Sequence, residues 1–211
     1  MLAGSAPREL APCRHTPCRY GATSSYRAKG VFMTVTIEQG GPLAVSLDAL
    51  KAYLKISLID EDVPLNDLIR TASDVAERFI GQLLIVRTVD EILCARRDWQ
   101  RLSIRPARSI TNVMGIPADG AEFALPVENY VLDIDANGTG WVRIANPGAA
   151  GRVRVVYMAG IASDDSEVPD AIRHGIIRLA GEYHAQREGL EREVPASVAA
   201  LWRPWRRMQL V

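Results

Sequence analysis

The chain has 211 residues, nearly half of them hydrophobic, and its 25 basic and 25 acidic side chains balance to zero formal charge. That length holds one domain of ordinary size or two small ones, with enough apolar residues for a sizeable core. A neutral total marks neither nucleic acid nor a membrane as a bulk partner, and no run reaches the roughly 18 apolar residues of a transmembrane helix.

The balance hides an asymmetry. Residues 1–32 carry Arg8, Arg14, Arg19, Arg27 and Lys29 against Glu9 alone, about +4, which leaves the rest at about −4. The segment is rich in Pro, Ser, Ala, Gly and Arg, shows neither helical nor strand period, and has no apolar h-region of a signal peptide. It reads as a disordered leader or a mis-assigned start, with the native protein beginning at Met33 and a single domain over 33–211. Cys13, His15 and Cys18 in this leader lack the spacing of a zinc knuckle and a second pair to close a tetrahedron. Three cysteines make no disulfide framework here, and a reducing cytoplasm suits them.

The first helix is expected from Ser46, an N-cap, through Leu47, Leu50, Tyr53 and Leu54. After the polar IDEDVP segment a second helix carries Leu65, Leu68, Ile69, Ala72, Val75, Ala76, Phe79 and Ile80 at helical spacing, and Gly81 ends it. From about 83 to 158 the period shortens. Strands are expected at 84–94, 101–105, 109–116, 121–125, 129–134, 141–145 and 152–158, separated by Pro106, Pro117, Pro126, Asn137-Gly138 and Pro147-Gly148. No helix-length connection intervenes, so they should form antiparallel hairpins. Cys94 reads as a small buried hydrophobe. In 152–156 the alternation of Arg and Val leaves one face wet.

Val168 to Gly189 is the longest amphipathic stretch. Pro169 and Asp170 suit a first helical turn, and Ile172, Ile176, Leu179 and Tyr183 line one side. Arg173, Arg178 and Glu182 fall on the other. Pro195 then opens a short helix with Val198, Leu201 and Trp202, limited by Pro204, and the tail over about 196–211 interleaves two tryptophans with arginines. The fold class is α+β: a helical bundle of two N-terminal helices, one long helix and a short C-terminal helix, with an inserted antiparallel β region.

Chemistry-bearing motifs were sought against this frame. Residues 133–138, D-I-D-A-N-G, resemble half a calcium loop, but position twelve is Ile144 rather than Glu, and a hairpin turn explains the same letters. No G-x-S-x-G, P-loop, GxGxxG or H-E-x-x-H occurs, and His174 and His184 do not converge on one site. No catalytic residue, metal ligand or cofactor is expected. The ending WRPWRR leaves three readings open: base stacking with phosphate pairing, a protein-docking tail, or a Trp202 that folds back onto the domain.

The order of parts resembles the head–tail connector (adaptor) proteins of phages and prophages, the gp6-like group. The resemblance spans Leu47 to about Gln209 and rests on SLDALKAYLKIS with DVPLNDLIRTASDVAERFIG, RPARSITNVMGI with NYVLDID, VRVVYMAGI with VPDAIRHGIIRLAGEYHAQREG, and VPASVAALWRPWRR. It matches the family's Ala159-Gly160 after the last strand, its Pro169-led helix reaching Tyr183 and Arg187-Glu188, and its Pro195-led ending at Trp205-Arg206. Trp205 stands where Tyr is commoner, and the leader has no counterpart.

The resemblance implies a non-enzymatic virion protein, assembled in the bacterial host cytoplasm. It implies a ring of about a dozen copies joining the portal of a DNA-filled head to the stopper or tail and extending the DNA channel. Itself, portal, and stopper or tail proteins would be its partners, with DNA only as passing cargo and no membrane. Portal docking would fall to Trp202, Arg203, Trp205, Arg206 and Arg207, and removal of everything after Val198 should abolish docking while the domain stays folded. A closing ring needs two different complementary faces, which the helices and the hairpins can supply. A DNA-binding or packaging accessory protein is the alternative role.

Overall fold

The computed structural model describes residues 27–28, 31–32, 34–185 and 194–206. The expectations at Cys13, His15, Cys18, Met33, Arg187, Glu188, Gly189 and Arg207 therefore lie outside the described residues. In chain order the strands and helices are β1 (Arg27–Ala28), β2 (Val31–Phe32), β3 (Thr34–Ile37), α1 (Leu47–Leu54), α2 (Asp62–Ile80), β4 (Arg87–Cys94), β5 (Gln100–Arg101) and β6 (Ala107–Pro117). They continue with β7 (Phe123–Ala124), β8 (Tyr130–Ile134), β9 (Gly140–Ile144), β10 (Ala150–Ala159), α3 (Asp170–Ala185) and α4 (Ala196–Trp202). The chain is α+β.

Both ends of α1 and the end of α2 have a local cause. The Ser46 hydroxyl accepts from the Ala49 N–H at 3.4 Å and opens α1, and Lys55 closes it in the left-handed conformation at φ 59°. Gly81, at φ 74°, closes α2, its N–H donating to Glu77 O at 2.8 Å. Apolar stripes from all four helices meet in one core: Leu50 of α1, Leu65, Ile69, Ala72, Ala76 and Ile80 of α2, Ile172, Ile176 and Leu179 of α3, and Val198 and Trp202 of α4.

The β region forms a second core. Five strands run in the order β3-β4-β10-β6-β7, and three in the order β5-β9-β8, with every ladder between them antiparallel. Val89 and Leu93 of β4, Val113 of β6, and Val153, Val155 and Tyr157 of β10 face Leu102, Val142 and Ile144 from the smaller sheet. Along β10 the alternate residues Arg154 and Val156 are only half-buried and Met158 is exposed, which is the wet face expected of this strand.

Three expectations need correction. The strands of 83–158 are not a run of hairpins: β10 lies between β4 and β6, and within that stretch only β6–β7 and β8–β9 pair as consecutive strands. β3, from before the first helix, adds itself to β4, so the sheet is more than an insertion between helices. Cys94 is half-buried rather than buried. In the D-I-D-A-N-G segment the hairpin turn is observed: the Asp135 carboxylate accepts from the N–H groups of Asn137 at 2.8 Å and Thr139 at 2.9 Å, and Gly138 sits at φ 73°.

The two cores join along a short seam. Ile161 N donates to Leu83 O at 3.0 Å, Ala162 N to Leu84 O at 2.8 Å, and Val86 N to Ala162 O at 2.8 Å. Glu77, on the last turns of α2, accepts from Leu84 N at 3.0 Å and pairs with Arg87 at the head of β4. Gly160 crosses the seam at φ 151°, and a Cβ there would stand 2.5 Å from the Val86 backbone.

Candidate functional site

The residues singled out for docking divide into two groups. Trp202 closes α4, and apolar spacing turns its ring toward α3 rather than outward. Its side chain is 0% exposed. The indole Nε1 donates to Ile172 O at 3.2 Å, which meets the one polar need of a buried indole. Gly175 makes room for it, because any Cβ at that position would overlap the indole. Phe79 of α2 packs against the same ring, centroids 5.8 Å apart and tilted 56°.

Trp202 is therefore withdrawn from the exposed surface: of the three readings of WRPWRR, folding back is the one observed for this residue. Cutting after Val198 would remove this core side chain together with the tail, at a cost to the stability of the helical core.

Beyond Trp202, a single turn of 3₁₀ helix over Arg203–Trp205 turns the chain across the end of α2. Gln82 Nε2 donates to Trp205 O at 2.9 Å, and the Arg206 guanidinium lies 5.5 Å from the Phe79 ring centroid. Arg203, Trp205 and Arg206 are all exposed, with Trp205 at 39%. Phe79 and Gln82 thus join the site, two residues that sequence reasoning did not select. Their signal was faint: the next-to-last apolar residue of the α2 stripe and the first polar one after its glycine stop.

A perturbed group lies elsewhere, in the β core. Glu91 of β4 is fully buried, accepting from Ser103 Oγ at 2.7 Å, Ser103 N at 3.0 Å and the Tyr157 hydroxyl at 2.8 Å. Burial raises its carboxyl pKa, against the downward pull of those hydrogen bonds. Burial and the adjacent Glu91 likewise push the Tyr157 hydroxyl up. The arrangement cross-braces the β core: Tyr157 also accepts from Ile104 N at 3.2 Å. A carboxyl with this environment suits acid–base work only where a substrate reaches it. The concavities described on the surface lie instead among the helices, one lined by Tyr53, Leu54, Arg178 and Gly181, the other by Ala49, Asp170, Arg173 and His174. Both are shallow and open. His174 lies on the rim of one, whereas His184 sits 3.4 Å from Glu61, so the two histidines do not meet.

No protein-family model and no curated protein matches the sequence. Solved structures do. The chain is similar to a component of the neck of an empty gene transfer agent particle computed with C6 symmetry, at TM-score 0.69 and 24% identity, covering 84% of this chain and 97% of that one. It is similar to a chain of the virion of a native gene transfer agent particle, at TM-score 0.65 and 25% identity over the same shares. A chain from the neck of the native particle computed with C12 symmetry gives TM-score 0.63 and 24% identity, covering 83% of this chain and 97% of that one. The fold described above is thus shared with chains of gene transfer agent particles, two of them from the particle neck.

Proposed function

We propose that this chain is a structural protein of a virion neck, acting as a head–tail connector of the gp6-like kind. Copies of it form a ring that joins the portal of a DNA-filled head to the stopper or tail and extends the DNA channel. The observation that carries the reading is the shared fold, which spans nearly the whole of chains taken from particle necks. The C6 and C12 symmetry of those necks supports a repeated, ring-like role, and such a role calls for shape rather than bond chemistry.

Portal docking, in this reading, is carried by Arg203, Trp205 and Arg206, with Arg207 following. Trp202 positions them from inside the domain. Tryptophan and arginine are the residues that most often dominate interface energies, and a half-exposed indole beside guanidinium groups suits a partner surface that is both apolar and acidic.

Co-purification with portal protein tests this. The full chain should be retained by immobilised portal, and Trp205→Ala with Arg206→Ala should weaken retention by roughly tenfold or more while the fold is kept. Retention of the double variant at wild-type strength removes the tail from the contact. Absence of retention for the full chain, with no rings in electron micrographs of the mixture, defeats the connector reading. The DNA-binding alternative predicts instead a salt-sensitive gel shift of duplex DNA by this protein alone.

A further inference from the structure

Two surfaces at opposite ends of the molecule are exposed, apolar and oppositely charged. One is the turn between α1 and α2. Leu58, Ile59 and Val63 are 65%, 78% and 73% exposed there. The turn is held in shape from within: Asp62 N donates to Ile59 O at 3.0 Å, and the Lys51 ammonium donates to the Asp62 carboxylate at 2.6 Å. Segment 56–67 carries Asp60, Glu61, Asp62 and Asp67 and no Lys or Arg.

The other is the outer face of the three-stranded sheet. Register places Arg101 across from Trp141 and Val131 across from Arg143. The Arg143 guanidinium lies 5.2 Å from the centroid of Trp99, which puts that ring on the same side. Trp99 stays 43% exposed and Val131 39%. Segment 95–101 adds Arg96 and Arg97, so four arginines in and beside this sheet stand against Asp98, Asp133 and Asp135, the last of which accepts from the Trp141 indole at 3.4 Å.

We infer that these are the two halves of one contact between copies of this chain: the acidic apolar turn of one copy docks on the tryptophan–arginine sheet face of the next. This deepens the neck reading above and rests on it. Three observations name a second copy as the occupant. The charges are complementary, and each surface has apolar side chains that gain by leaving water. The turn lies at the start of α2 and the sheets begin past its end, about 28 Å away for 19 residues, so no copy reaches its own sheet face with its own turn. Finally, the two surfaces differ, so the contact is head-to-tail, the type that closes into rings such as those of the symmetric necks.

Two variants separate the halves. Ile59→Asp spoils the turn and Trp99→Ala the sheet face, and Val131→Asp replaces the latter should Trp99→Ala lose its cooperative thermal transition. In sedimentation velocity on the full chain up to about 1 mM, the wild type should associate progressively, and each variant alone should need at least about tenfold more protein. A 1:1 mixture of the two should recover a dimer and stop there, because only one intact pairing remains.

A wild type that stays monomeric throughout, a single variant that associates like the wild type, or a mixture no better than its parts overturns the proposal. So does single-stranded DNA that binds the wild type, is lost with Trp99→Ala and leaves association unchanged, which makes the sheet face a nucleic-acid platform. Portal retention of both variants, read in parallel, should match the wild type, so a failure here is distinguishable from a failure of the connector reading.

Discussion

Glu91 is a carboxyl group enclosed in the β core. Surrounded by Val and Leu side chains and held by Ser103 and Tyr157, its carboxyl keeps its proton to higher pH in the folded chain than the 4.5 of a free side chain. The folded state therefore binds this proton more tightly than the unfolded state, and stability contributed by the neutral form is lost as pH rises from about 4.5 through the raised value. Glu91→Gln keeps the size, leaves an oxygen for Ser103 N and offers an N–H to the Tyr157 oxygen. Urea unfolding across pH 4 to 8 should show a flatter stability profile for Glu91→Gln than for the wild type. A parallel pair of profiles would mean that Glu91 titrates alike in the folded and unfolded chains.

At the scale of elements, the C-terminal segment is one structural unit with two jobs. Trp202 fills the space that Gly175 leaves open on α3, and the turn beyond it presents Trp205 and Arg206 against α2. Trp202→Ala should cost about 3–5 kcal/mol of stability, as large-to-small changes in a closed core do, and Gly175→Val should destabilise in the same direction by displacing the ring. Trp205→Ala should stay within about 0.5 kcal/mol of the wild type. Thermal and urea melts of the three variants check this, and equal losses for Trp202→Ala and Trp205→Ala would contradict the division.

The elements differ in how far the residues announce them. α2 is legible because its stripe runs unbroken for four turns, and α1 because Ser46 is an efficient cap. The hairpin at Asn137-Gly138 is written in turn chemistry. β3 is not legible: Thr34–Ile37 is four residues long and its partner, β4, lies more than 50 positions away. The central place of β10 is hidden for the same reason, since pairing between distant strands leaves no local trace. Trp202 was ambiguous because Trp and Arg are equally the vocabulary of an interface and of a helix end; the deciding clue, a glycine inside α3 opposite it, has meaning only once the two helices are side by side.

For the molecule as a whole, the seam between the two cores governs cooperativity. The backbone of 159–162 lies against 83–86 so closely that Gly160 admits no side chain, and Glu77 with Arg87 bridges the same junction. Because the obstacle at Gly160 is backbone, it cannot swing aside, and the left-handed φ adds its own strain. Gly160→Ala should destabilise by about 1–3 kcal/mol in equilibrium unfolding and lower the hydrogen-exchange protection of β10 and α3 together. A loss confined to one of the two would show that the halves unfold independently. The glycine at 160 has a physical reason here: a position where helix layer and sheet share one path has room for a bare backbone alone.

The bond from Gln82 to the Trp205 carbonyl and the Arg206 guanidinium resting over Phe79 bear on kinetics as well as shape. In the docking role proposed above, a tail tethered in this way would meet its partner already arranged, so the freezing of its backbone falls within folding and adds little entropic resistance to capture. Loosening that tether by Gln82→Ala would then shorten residence on the partner through the cost of re-ordering a freed strand, even though Gln82 itself need never touch the protein being bound.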